Sequence, residues 1–265
     1  MIGHRRTMTR TARKVNLTNL LSTSLQLQNN SQESAPARTV KLALLNVRSL
    51  ANKSFLINDF ISTHDLDFLL LTEIWLNEAN SAVTLIESAP PNYDFLSSFR
   101  ESKKGGGLAT IFKTLFQCKQ LCHGKFSSFE YMCVLIKGSP RILTVTIYRP
   151  PKQSERAFID EFSDLLSIIC VEFDCLIISG DFNLHMDKSD NIYTKDFLAL
   201  LDTFSLTQHV QGPTHSHGHT LDLIITKGLS VSVTIKDLAL SDHFCLFSDK
   251  SMSPCIQSSC IMTGS

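Results

Sequence analysis

Charge of either sign is not in excess: 25 Lys and Arg balance 25 Asp and Glu, a formal net charge of zero over 265 residues. That excludes a global basic field as the means of attracting nucleic acid, and leaves the role to a local patch or a bound cation. No apolar stretch reaches membrane-spanning length, and the N-terminus lacks a hydrophobic signal core, so no membrane partner is expected. The eight cysteines (Cys118, Cys122, Cys133, Cys170, Cys175, Cys245, Cys255 and Cys260) include no C-x-x-C pair. Cys118 and Cys122 stand close, but no second pair completes a zinc ribbon. They read as small buried hydrophobes of a chain kept reduced, in the nucleus or cytoplasm. Gly105-Gly106-Gly107, preceded by Lys103 and Lys104, lacks the following helix and the Lys-Ser/Thr ending of a P-loop. A nucleotide cradle is therefore excluded. Internal repeats are absent too.

What is present is a core. Hydrophobic residues make up 43% and charged residues 19%, enough for one large α/β or sandwich domain or two small ones. Residues 1–38 are rich in Ser, Thr, Asn and Gln and open with Arg5, Arg6, Arg10, Arg13 and Lys14 without an acidic residue. They read as a disordered basic tail. The domain is expected over 39–249, and 250–265 has no periodic pattern and reads as a second tail.

The organising stretch is Leu176 to Asn183, an apolar run that stops at Gly180 and then presents Asp181 and Asn183. It fits a buried strand with a polar end, although Asp-x-Asn also suits an ordinary turn. Other segments end in the same way. Val40 to Val47 reads as a strand closing on Asn46, and Lys53 to Thr63 as a helix. Asp67 to Glu73 reads as a second strand, closing on Glu73. Strand, helix and strand in so short a span predict a βαβ unit with parallel strands, which brings Asn46 and Glu73 out side by side. Leu108 to Phe112, Phe129 to Ile136 and Ile142 to Tyr148 read as antiparallel strands. The last is stopped by Pro150-Pro151, placing Tyr148 and Arg149 at its exit. Glu155 to Phe173 is an amphipathic helix, and Lys195 to Phe204 a shorter one. A polar loop with His215, His217 and His219 then leads into strand Thr220 to Thr226. A last strand pair, around Val231 to Ile235 and Phe244 to Phe247, flanks Ser241-Asp242-His243.

Each polar strand end alone is unremarkable, because strand ends reach water. Together they form a set of carboxylates and amides suited to a hard divalent cation, with a phenol and a His beside an Asp. Mg²⁺ takes oxygen ligands and keeps most of its waters, so one or two carboxylates and an amide suffice. A carboxylate-oriented His suits proton transfer or stabilisation of charge on a phosphate.

Six motifs in order, Leu45-Asn46-Val47-Arg48, Leu71-Thr72-Glu73-Ile74-Trp75, Tyr148-Arg149-Pro150-Pro151, Gly180-Asp181-Phe182-Asn183, Gly218-His219-Thr220-Leu221-Asp222 and Ser241-Asp242-His243, resemble the endonuclease/exonuclease/phosphatase superfamily. Within it they are most similar to the endonuclease domain of non-LTR retrotransposons. The resemblance implies a four-layer α/β sandwich of two packed mixed sheets flanked by helices, acting as a monomer on DNA with Mg²⁺ or Mn²⁺. It also implies roles. Glu73, with Asn46 beside it, would hold the metal, and Asp222 would support that side. Tyr148 would contact the scissile phosphate, Asp181 would orient or deprotonate water, and Asn183 would hold Asp181 and the phosphate. His243 would contact phosphate oxygens with Asp242 fixing its tautomer, while Arg149 and Ser241 would line the substrate and Thr214 would support the site or contact the DNA backbone. Trp75 reads as packing, the alternating histidines as a polar loop near DNA, and His185 has no assigned role. A departure from the family is the brevity of the strand after His243, which predicts an incomplete sheet edge.

Overall fold

A computed structural model of the chain describes residues 39–99 and 105–251. The two expected tails lie outside the described residues, apart from the end of the last strand, as do Lys103 and Lys104.

The first strand, β1 (Thr39–Asn46), is followed by α1 (Ser54–His64) and β2 (Phe68–Thr72). The two strands pair in parallel with Asn46 opposite Thr72, so the expected βαβ unit is present. Helix α2 (Glu78–Ser88) then leads to β3 (Tyr93–Ser98) and β4 (Leu108–Lys113). Strands β5 (Cys118–Leu121), β6 (Glu130–Ile136) and β7 (Ile142–Tyr148) come next, with α3 (Glu155–Glu172) leading to β8 (Leu176–Asp181). The chain continues through α4 (Ile192–Thr203), β9 (Thr207–Gln208), β10 (Asp222–Lys227), β11 (Ser232–Lys236) and β12 (Cys245–Ser251).

These strands form two six-stranded sheets, β11-β12-β1-β2-β4-β3 and β5-β6-β7-β8-β10-β9. Each is mixed: β1–β2 and β7–β8 are parallel, and the other pairs antiparallel.

Side-chain alternation explains why the central strands read as unbroken apolar runs. On the first sheet Ala43, Leu45, Leu69, Leu71, Ala109 and Ile111 form a core with Ile57, Phe60 and Ile61 of α1 and Leu85 of α2. Leu42, Leu44, Phe68 and Leu70, on the opposite face, cluster with Ile177 of β8 and Ile224 of β10. The outer face of the second sheet, with Leu143, Val145, Ile147 and Ile178, packs on Phe158, Phe162 and Leu166 of α3 and Phe197 of α4. Helices, sheet, sheet, helices is the expected four-layer sandwich.

Some elements carry little signal in the sequence. Helix α2 buries Ser81, Thr84 and Ser88 rather than an apolar stripe. Its hydroxyls bond back along the helix, Thr84 Oγ1 to Asn80 O at 2.9 Å and Ser88 Oγ to Thr84 O at 2.7 Å. Such polar burial hides a helical period.

The expectation of an incomplete sheet edge is corrected. Strand β12 has seven residues and lies between β11 and β1, with Leu246–Ser251 opposite Leu44–Thr39. The backbone ladder to β1 orders Lys250 and Ser251, which side-chain pattern alone marks as tail.

Candidate active site

One edge of each sheet contributes to a shared cleft floor. In the second sheet Tyr148, Asp181 and Asp222 are register neighbours across three strands, since Asp181 lies opposite Tyr148 in β7 and Asp222 in β10. In the first, Asn46 ends β1 and Glu73 follows β2. The two sheets meet through one amide: Asn46 Nδ2 donates to Glu73 Oε1 at 3.0 Å and to Asp181 Oδ2 at 2.9 Å.

Local backbone makes this convergence available. Glu73 adopts φ +53 and Asn183 φ +48, left-handed conformations that turn the chain sharply as each strand ends. Asparagine tolerates the conformation because its short side chain bonds locally, and here the Asn183 N–H donates to Asp181 Oδ1 at 3.0 Å. Its amide also donates to Asp181 Oδ2 at 3.0 Å and to Arg149 O at 2.7 Å. Gly180 permits close approach of β7, because a Cβ there would lie 1.9 Å from Ile147 O, and its φ is +153.

His243 precedes β12 and is buried, with Nδ1 at 2.8 Å from Asp222 Oδ2 and Nε2 at 4.0 Å from Asp181 Oδ2. Burial works against its charged form, but Asp222, Asp181 and Asp242 outweigh that and raise its pKa to about 9. Asp181 is wholly buried, and burial together with the neighbouring Asp222 charge pushes its carboxyl pKa upward. Burial and the carboxylates of Glu73 and Asp181 raise the Tyr148 phenol likewise, keeping its O–H protonated.

Several expectations are corrected by these contacts. The carboxylate on His243 Nδ1 is Asp222, not Asp242. Asp242 instead pairs with Arg48 NH1 and lies 3.3 Å from His215 Nε2. The Nδ1 direction is taken by β10, through Asp222 at 2.8 Å.

Arg149 does not line the cleft: it is 1% exposed, and its guanidinium donates to the carbonyls of Phe182, Asn183 and Gln153. Thr214 is equally buried, and its Oγ1 accepts from the N–H groups of Leu221 and Asp222 at 2.9 and 3.0 Å, which matches the supporting role expected of it and not a contact with DNA. Ser241 Oγ donates to Asn46 O at 2.6 Å and accepts from the His243 N–H at 3.0 Å. All three brace the residues that face the cleft.

Trp75 is a further correction. It is 44% exposed rather than packed, and its Nε1–H donates to Glu73 Oε2 at 3.0 Å. Its position beside the glutamate, in a segment held by backbone bonds to Gly106 and Gly107, has no periodic signature. His215, whose ring stands 4.8 Å from that of His243, and Arg48 are further cleft residues that spacing did not single out.

The donor set fits a divalent cation. Asn46 brings Glu73 and Asp181 together, and Asp222 stands beside Asp181 in register. Asp222 Oδ1 is buried without a hydrogen-bond partner, and ligand atoms of Asp181, Asp222 and His243 lie within 4.8 Å of one another. A buried, unpaired carboxylate oxygen is costly unless a cation meets it.

The model for the family described as Endonuclease/Exonuclease/phosphatase matches residues 43–243. The chain belongs to that family. Among curated proteins, it is 28% identical over 152 residues to "RNA-directed DNA polymerase from mobile element jockey" of Drosophila melanogaster. That match takes in 55% of this chain but only 15% of the relative, so the chain spans a small part of that protein's length.

Two solved structures share the fold. The endonuclease domain of TRAS1, a telomere-specific non-LTR retrotransposon, superposes with a TM-score of 0.64 at 15% identity, covering 80% of this chain and 98% of that one. The AP endonuclease LMAP from Leishmania major gives 0.64 at 14%, covering 84% and 92%. Among the described residues no helix is long and apolar enough to cross a membrane.

Proposed function

We propose that this chain is a divalent-metal-dependent phosphodiesterase that nicks DNA by in-line attack of water, leaving a 3′-hydroxyl. The observation that carries the reading is the network joining Glu73, Asn46, Asp181, Asp222 and His243, which gathers carboxylates, an amide and an imidazole from two sheets into one cleft. Likeness to retrotransposon and AP endonucleases supports DNA as substrate.

Glu73, with Asn46 beside it and Asp222 in support, would hold Mg²⁺ or Mn²⁺. Bound there, the cation supplies charge neutralisation on the phosphate and help for the leaving oxygen. Asp181 accepts the proton of the attacking water, a task favoured by a raised pKa, while Asn183 and Asn46 hold its carboxylate in place. Held as a cation by Asp222, His243 faces the phosphate oxygens. The Tyr148 hydroxyl donates to the same phosphate from the other side of Asp181.

The test is a nicking assay on supercoiled plasmid in Mg²⁺, Mn²⁺ and EDTA, with intact and abasic duplexes alongside. Nicking in either metal and none in EDTA is expected, with losses of about 10²-fold or more in Glu73→Ala and in His243→Ala. Retained nicking in both variants would sink the site assignment. Phosphate release from inositol or nucleotide substrates without nicking would point to a phosphatase of the same family. A folded chain that binds DNA and hydrolyses nothing would mean an idle binding domain.

A further inference from the structure

Outside the cleft, one cluster has donor chemistry unlike that of the carboxylate site. His185 and Asp187 lie on the segment between β8 and α4, and His219 lies two residues before Leu221, ahead of β10. The three offer ligand atoms within 4.8 Å of one another. Asp187 bridges the two histidines: His219 Nδ1 is 3.1 Å from Oδ2, and His185 Nδ1 is 3.8 Å from Oδ1. A tetrahedral cation with bonds of ~2.0–2.1 Å sets ligand atoms ~3.3 Å apart, close to the 3.1 Å between His219 Nδ1 and Asp187 Oδ2, and the His185 nitrogen lies within 4.8 Å of both partners' ligand atoms. The imidazoles stand nearly perpendicular, with ring centroids 4.3 Å apart and an interplanar angle of 88°, so neither covers the face of the other in parallel.

Two further features separate this cluster from a closed hydrogen-bonded triad. His185 Nδ1 is buried and has no hydrogen-bond partner, its approach to Asp187 being too long for one. The Asp187 carboxylate is already oriented from outside, because the Thr220 N–H donates to Oδ1 at 3.1 Å. A second contact of that kind is how proteins fix a metal ligand's direction. The three side chains also keep a path to water, at 35%, 27% and 34% exposure.

We propose that His185, Asp187 and His219 form a transition-metal site, selective for Zn²⁺ over Mg²⁺, that clips the segment leaving β8 to the segment entering β10. The two imidazole nitrogens are borderline donors that Zn²⁺ and Co²⁺ take and Mg²⁺ disfavours, and the carboxylate completes the set. Three protein ligands leave a fourth position for water. The clip lies between the strands that carry Asp181 with Asn183 and Asp222, so it stiffens the cleft floor without joining it. This inference stands independently of the nuclease reading.

The test is titration of the untagged, metal-free full chain with Co²⁺, read by visible absorption, followed by displacement with Zn²⁺ and challenge with excess Mg²⁺. One equivalent of Co²⁺ is expected to give an intense tetrahedral-type spectrum that Zn²⁺ abolishes and Mg²⁺ leaves unchanged. The spectrum should be lost in His219→Gln and in His185→Ala, and kept in His215→Ala, which alters the histidine cluster beside His243. Absence of the spectrum in the unaltered chain overturns the proposal without reference to any variant. So does its persistence in the His185→Ala/His219→Gln double variant, or its loss in His215→Ala alone.

Discussion

His243 can take an orienting bond at Nδ1 from one carboxylate only, and Asp222 holds that position at 2.8 Å. Asp242, its chain neighbour, is spent on Arg48 and His215. The two aspartates therefore differ in consequence. Asp222→Asn should cut the rate of plasmid nicking by ~10²-fold or more with the fold intact, since the imidazole loses both its direction and its charge partner. Asp242→Asn should change it far less, and equal losses in the two variants would return the tautomer role to Asp242. Arg149 gives a contrasting prediction. Its guanidinium satisfies three backbone carbonyls in a buried position, so Arg149→Met should cost about 3 kcal/mol in urea unfolding. The KM for DNA should stay unchanged in whatever fraction folds, whereas a raised KM at full stability would restore Arg149 to the substrate.

At the scale of elements, strand β8 holds the cleft together. Its last two residues have opposed requirements: Asp181 must face the cleft, and Gly180 must let the Ile147 carbonyl pass where a side chain would begin. Gly180→Ala should therefore cost about 3 kcal/mol or more, from backbone strain and overlap together. A shift in denaturation midpoint much below that size would mean that β7 and β8 can separate cheaply. Much of β8 is legible in the sequence, because an apolar run ending in Gly-Asp-x-Asn leaves few alternatives. Helix α2 and strand β3 are not. The helix buries hydroxyls instead of an apolar stripe, and β3 lies at a sheet edge with its residues half exposed. The end of strand β12, beyond the expected Phe244 to Phe247, is hidden for a related reason: it is held by backbone ladders to β1 and, as far as Asp249, to β11, and that pairing leaves no trace in side-chain pattern.

At the scale of the whole molecule, the loop before β6 is pinned to α3 by a single carboxylate, Glu161. It accepts from the N–H groups and hydroxyls of Ser127 and Ser128 at 2.5 to 3.1 Å. Burial opposes its charge, but those bonds prevail and lower its pKa from 4.5 to about 2. A carboxylate depressed in the folded state stabilises the fold above its unfolded pKa, and that contribution fades as pH falls through the folded value. Glu161→Gln should thus lower the Tm near neutral pH. The gap from the unaltered chain should close between about 4.5 and about 2. A gap that is constant over that window would assign the contact to packing rather than charge. The expected four-layer sandwich is the architecture observed, because binary pattern and connection length restrict a chain of this kind to few layer arrangements.

The sequence by itself determined the family, the βαβ unit, the central strands and the polar residues that end them, since these depend on local pattern and on motifs in order. Tertiary structure alone decided which side chains meet. Asn46 bonds both Glu73 and Asp181, the latter 135 residues away from it, Asp222 rather than Asp242 supports His243, and Arg149, Thr214 and Ser241 act as braces. The reason is register. Whether two strand ends face each other follows from how the sheets pair and stack, and neither pairing nor stacking is local to any one segment.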